Sequence, residues 1–228
     1  MLREFGGKKT MTSYGQFCPI AKAMEVLDER WTLLVVREML LGSTRFNELR
    51  RGVPKMSPAL LSKRLRTLTR AGIVTRTPAG YSLTTCGAEL VDVVTSLGIW
   101  GTRWIGELGE QDLDPHLLLW DLRRTVPVTA WPRTRTTVAI RFDDIPRAKD
   151  WWLVVTGDDA DLCDYDPGFE VTVTVRTGLA TLTRIWRGDL SWEAALRSGR
   201  VTLDGPEQAR RALPTWIGQS TLAATPRP

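Results

Sequence analysis

Residues 57–70 read Ser57-Pro58-Ala59-Leu60-Leu61-Ser62-Lys63-Arg64-Leu65-Arg66-Thr67-Leu68-Thr69-Arg70, with Ala71-Gly72 following. Ser57 is a helix-capping residue type, Pro58 suits a first helical position, and Gly72 can adopt the left-handed conformation that ends a helix. On a helical wheel Leu60, Leu61, Leu65 and Leu68 gather on one side. Ser62, Lys63, Arg66, Thr67 and Arg70 gather opposite, with Arg64 near the boundary. One face therefore packs on a core and the other is long-reaching and cationic. A helix with that second face can enter the major groove of DNA, where Arg and Lys pair with guanine edges and phosphates.

The flanking segments fit the same reading. Upstream, Ile20, Ala23, Met24 and Leu27 recur at helical spacing after Pro19. A second helix is expected from Arg30 to Leu41, stopped by Gly42, and a short third one over Phe46–Arg50, which ends before Gly52-Val53-Pro54. Downstream, Ile73–Thr77 and Tyr81–Thr84 flank Pro78-Ala79-Gly80, a hairpin signal. A basic hairpin directly after a recognition helix is a wing, and Arg76 on it can reach a minor groove or a phosphate. Thr84 or Thr85 then caps a fifth helix carrying Leu90, Val94, Leu97 and Trp104. The order of helix, helix, short helix, capped cationic helix, hairpin and helix reads as a winged helix-turn-helix.

Charge follows the same division. Residues 1–109 hold 16 Lys and Arg against 9 Asp and Glu, a net +7, whereas residues 110–228 hold 15 against 17, a net −2. Between Arg45 and Arg76 nine basic residues face Glu48 alone. This asymmetry suggests a polyanion-binding half joined to a half with another task.

These residues resemble the HxlR-type family of winged-helix transcriptional regulators. The carriers are Cys18-Pro19-Ile20, Arg30-Trp31-Thr32-Leu33-Leu34, Arg37-Glu38, Leu41-Gly42, Arg45-Phe46-Asn47-Glu48-Leu49, Ser57 to Leu65, Ala71-Gly72-Ile73-Val74 and Tyr81-Ser82-Leu83-Thr84. The resemblance implies a homodimer on an inverted-repeat operator in double-stranded DNA, with repression as the expected outcome. The implied DNA-binding residues are Arg45, Asn47, Ser57, Ala59, Ser62, Lys63, Arg66, Arg70 and Arg76. The implied dimer contacts are Ile20 and Met24 on the first helix and Trp100 and Trp104 on the last. Packing within one subunit is the competing reading of the two tryptophans. Asp28-Glu29 replaces the glycine usual before the tryptophan, so that turn is expected to be capped or continuous helix. Cys86 stands where a lysine is usual, which removes an expected phosphate contact. Cys18 matches a cysteine that some members use as a redox sensor. Its place before a helix start and near Lys22 permits a lowered thiol pKa, and a half-buried structural cysteine is the other reading.

In the second half, helices are expected from Asp114-Pro115 and over Leu179–Trp186, Ser191–Ser198 and Pro206–Leu213. Strands are expected at Thr136–Phe142, Trp152–Thr156, Glu170–Arg176 and Arg200–Leu203. Strands followed by helices indicate α+β. The segment through Ser198-Gly199-Arg200-Val201-Thr202-Leu203-Asp204-Gly205 resembles the sterol-carrier-protein-2-like fold. That resemblance implies a five-stranded sheet around an apolar cavity, with Trp186, Trp192, Leu196 and Trp216 as candidates to line a pocket for a small apolar effector. Plain core packing is the alternative. Asp158, Asp159, Asp161, Asp164 and Asp166 read as a solvated acidic loop without calcium-loop spacing.

The expected organisation is an arm over 1–16, the winged-helix domain over 17–109, a hinge, and the α+β domain over 116–222. Three scattered cysteines and one histidine, His116, argue against a structural metal, a disulfide framework or a His-based triad. No nucleotide-binding or paired-carboxylate signature points to an enzyme or to a cofactor. The chain has no apolar run long enough to cross a bilayer and no secretory apolar core at its start, so a cytoplasmic protein without a membrane partner is expected. The alternative function is a lipid-binding carrier, or a protein-interaction scaffold whose winged helix does not bind DNA.

Overall fold

Pro19 opens the first helix, α1 (Pro19–Leu27), and Trp31, with φ of 78°, ends the turn that follows it. This is a computed structural model, and it describes residues 13–105, 107–145 and 150–228. The 1–16 arm thus lies outside the described residues up to residue 12, as does Gly106 of the expected hinge.

The chain forms two compact units, residues 1–95 and 96–228. In the first, α2 (Thr32–Leu40), α3 (Phe46–Gly52) and α4 (Pro58–Arg70) follow α1. The hairpin β1 (Val74–Thr77) and β2 (Gly80–Leu83) comes next, then the single turn α5 (Thr85–Ala88) and α6 (Leu90–Trp104). The turn between α1 and α2 is not continuous helix. Trp31 takes the left-handed region, which costs a bulky residue energy, and Arg30 stacks its guanidinium over the indole at 5.4 Å. Val35, Val36, Leu49, Leu61, Leu65 and Leu68 make the core, so three helices contribute one apolar stripe each. α6 runs out of the first unit into the second.

The second unit carries α7 (Pro115–Thr125) and then β3 (Thr136–Phe142), β4 (Asp150–Thr156), β5 (Asp159–Cys163) and β6 (Val173–Thr177). After these come α8 (Leu179–Trp186), α9 (Trp192–Arg197), β7 (Val201–Asp204) and α10 (Glu207–Trp216). The sheet runs β5-β4-β3-β6-β7, parallel between β3 and β6 and antiparallel elsewhere. Register aligns Val138 with Leu153 and Val173, and Ile140 with Trp151 and Val175, on one face. That face packs with Leu119 and Leu122 of α7, Leu182 and Ile185 of α8, and Leu213 of α10. The expected α+β class and five-stranded sheet are present. The acidic loop needs correction, because Asp159 and Asp161 lie on β5, an edge strand that puts Ala160 into the core.

Candidate DNA-binding surface and its relatives

α4 is set by its cap and by one inward arginine. Ser57 Oγ accepts the Leu60 amide, and Pro58 starts the helix. Leu61, Leu65 and Leu68 are fully buried, as the wheel requires. Arg64, placed near the boundary by the sequence, is 4% exposed. Its guanidinium pairs with Glu29 and donates to the Arg30 carbonyl at 3.2 Å, tying α4 to the α1–α2 turn. Burial pushes its pKa down from the usual arginine value. Arg64 is therefore a clamp and not part of the outward face.

The outward face keeps its charge. Ala59, Lys63, Arg66 and Arg70 are exposed, with Ser62 half-buried beside them. Arg76 is exposed on β1 opposite Tyr81. The wing base is anchored at two points. The Tyr81 amide donates to Thr44 O at 2.8 Å, and Thr84 Oγ1 donates to the Gly72 carbonyl at 2.6 Å. Gly80 has φ of 142°, and a Cβ there would lie 2.4 Å from Thr44 O, so glycine is needed for this approach. Thr44 precedes Arg45 and Asn47, both exposed at the start of α3. Among the described residues, no carboxylate pairs with the side chains of Arg45, Lys63, Arg66, Arg70 or Arg76. Arg50, exposed and equally unpaired, was not among the expected contacts, although the basic run contained it.

Two acids hold this scaffold from behind. Glu48 Oε2 accepts the Thr44 and Arg45 amides at 2.9 Å each, capping α3. Burial opposes the Glu48 charge, but these two amides and the nearby Arg45 charge outweigh it and hold the carboxyl below its ordinary value. Glu38 is completely buried and accepts from Arg37 Nη1 at 2.8 Å. A Cβ on Gly52 would lie 1.8 Å from the Glu38 carboxylate, so the last residue of α3 is small to admit it. Sequence reasoning named Glu38 on the second helix and among the carriers of the resemblance but gave it no buried role, because its charge disguises a core position.

The remaining expected residues are placed as follows. Cys18 is half-buried at the cap of α1 and makes no side-chain cap bond. Cys86 is exposed on α5. Ile20, Met24, Trp100 and Trp104 are all exposed, Trp100 by 56% and Trp104 by 58%. Of the effector candidates, Trp192 and Trp216 belong to the core of the second unit, and Trp186 and Leu196 pack against it. Trp131 stacks on Trp216 at 5.0 Å and donates its indole N–H to the Trp216 carbonyl. Trp186 donates its own to Thr125 Oγ1. Trp186, Trp192 and Trp216 are thus drawn into the packing of the second unit.

A capped cationic helix followed by an anchored basic hairpin defines a winged helix-turn-helix DNA-binding protein. Residues 26–108 match the HxlR-like helix-turn-helix family. The uncharacterised HTH-type transcriptional regulator YvaP of Bacillus subtilis (strain 168) is 38% identical over 98 residues, covering 40% of this chain and 91% of that protein. The quinone-bound YodB of B. subtilis is 32% identical, covering 37% of this chain and 97% of that one, with a TM-score of 0.35. Sterol carrier protein 2 like 2 from Aedes aegypti is 18% identical over 40% of this chain and 82% of that one, with a TM-score of 0.33. The chain belongs to the HxlR-like helix-turn-helix family and is a DNA-binding transcriptional regulator of that type. No helix among the described residues is long and apolar enough to cross a membrane.

Proposed function

We propose that this regulator is a repressor that binds an inverted-repeat operator as a homodimer, with the second unit taking a small-molecule effector. The observation that carries the DNA-reading part is the set of exposed, unpaired cations on one helix face and its wing: Lys63, Arg66, Arg70 and Arg76. Exposed cations without carboxylate partners are free to replace the counterions of a phosphate backbone. Lys63 and Arg66 sit where an inserted helix meets base edges, and Ser57, Ala59 and Ser62 line its leading turns. Arg45, Asn47 and Arg76 flank it as phosphate or minor-groove contacts.

The dimer rests on α6. Its sequence, Leu90 to Trp104, contains ten apolar or aromatic side chains and glycines, yet none of its residues is buried. Val93, Leu97, Trp100 and Trp104 are each about half exposed. A helix this apolar is stable in water when a partner covers it, and a second copy supplies an identical apolar stripe. Ile20 and Met24 on α1 add to the surface that a partner would cover.

Mobility-shift titrations on operator DNA across a salt series test the reading. Affinity should fall steeply with salt, and Lys63→Ala with Arg66→Ala should lose most of the binding. Salt-independent binding, or a double variant as tight as the wild type, would favour a carrier or scaffold instead.

A further inference from the structure

We infer that a cleft in the second unit, formed by the last turn of α6, by α8 and by the final described residues, is a binding site for an amphipathic organic anion. This deepens the effector reading above and locates it away from the core tryptophans. The cleft is open to solvent and offers a volume of about 530 Å³, within the range that holds a small-molecule ligand.

Its lining combines apolar and cationic side chains. Ile105, Leu108, Leu113 and Ala180 give it an apolar side. The rest of its lining includes four guanidiniums, Arg103, Arg184, Arg187 and Arg227, and the carboxylates of Glu107 and Asp189. Asp189 is already committed. Arg187 Nε holds it at 2.9 Å, and Arg227 pairs with its other oxygen while donating to the Arg187 carbonyl at 3.2 Å. Arg103 uses Nε on the Pro226 carbonyl at 3.3 Å, which leaves its terminal nitrogens available. Arg184 has no ion pair among the described residues. Ala180 and Arg184 are four residues apart on α8, so the small residue leaves room directly beside the free guanidinium.

A cleft with an apolar wall and surplus guanidiniums selects a ligand with an apolar body and an anionic head. A carboxylate or a phosphate meets the Arg fork equally well in geometry. Arg187, Asp189 and Arg227 are tied to one another, and Arg184 and Arg103 supply the charge that the ligand neutralises. Glu107 repels anions, and Arg184 on α8 carries no ion pair among the described residues, so the head group should meet Arg184.

Calorimetric titration of the full-length protein with decanoate, decyl phosphate and decanol, in the absence of DNA, tests this directly. The anions should bind, decanol should bind about tenfold more weakly or not at all, and Arg184→Ala should reduce anion affinity about tenfold. Arg197→Ala, an exposed arginine on α9 paired with Glu193, should leave binding unchanged. Whichever anion binds more tightly names the head group. Decanol binding as tightly as decanoate, an unaltered Arg184→Ala titration, or no binding of any probe would overturn the site. Because no DNA is present, such a failure is separate from a failure of the operator reading.

Discussion

Single residues in the first unit do two kinds of work, and Glu48 shows the supporting kind. Its carboxylate caps α3 through two backbone amides and is held below its ordinary pKa. A depressed carboxyl contributes stability that is present above its unfolded pKa and is lost as pH falls through the folded value. Glu48→Gln should therefore lower the melting temperature at pH 7. The gap to the wild type should close as pH drops below about 4, into the carboxylate range. Melting curves from pH 7 to pH 3 check this, and a pH-independent gap would remove Glu48 from the role. Arg64 was harder to read, because its wheel position borders both faces and its partner Glu29 lies 35 residues away. No local pattern carries such a pair. Cys163 is a different case, since burial and the charges of Asp161 and Asp164 push its thiol pKa up and leave it a poor nucleophile.

Elements with strong periodicity were legible, and α4 is the clearest: cap, proline, stripe and glycine stop all fall where the sequence puts them. Ser57→Ala removes the bond to the Leu60 amide and should cost about 1 kcal/mol of stability, read by chemical denaturation. If Ser57 also meets a phosphate, Ser57→Gly, which nearly restores the cap, should remain weak in DNA binding. The strand Thr136–Phe142 and the helix Leu179–Trp186 likewise match their expected bounds. β5 escaped because its outward positions, Asp159 and Asp161, are acids on a sheet edge, a composition that ordinarily marks a turn. The tryptophans of the second unit misled in the opposite direction. Large aromatics suit both a pocket wall and a core, and only packing separates Trp216, stacked on Trp131, from a ligand contact.

At the scale of the whole chain, the half with a net charge of +7 is the half that holds the helix-turn-helix match over residues 26–108. The exposed apolar α6 makes association the main molecular prediction. The wild type should sediment as a dimer at micromolar concentration, and Trp100→Ser with Trp104→Ser should shift it to monomer while leaving the first unit folded. A wild-type monomer would sink the homodimer, because a stable interface needs roughly 1,000 Å² or more of covered surface. The arrangement of α4 has a consequence for how such a regulator changes its targets over generations. Its inward side, Leu61, Arg64, Leu65 and Leu68, is buried, while Lys63, Arg66 and Arg70 are exposed and carry no ion pair among the described residues. On the proposed operator reading, substitutions on the outward side carry little folding penalty, so duplicated copies would diverge to new operators by a few codon changes while the scaffold behind them stays under constraint.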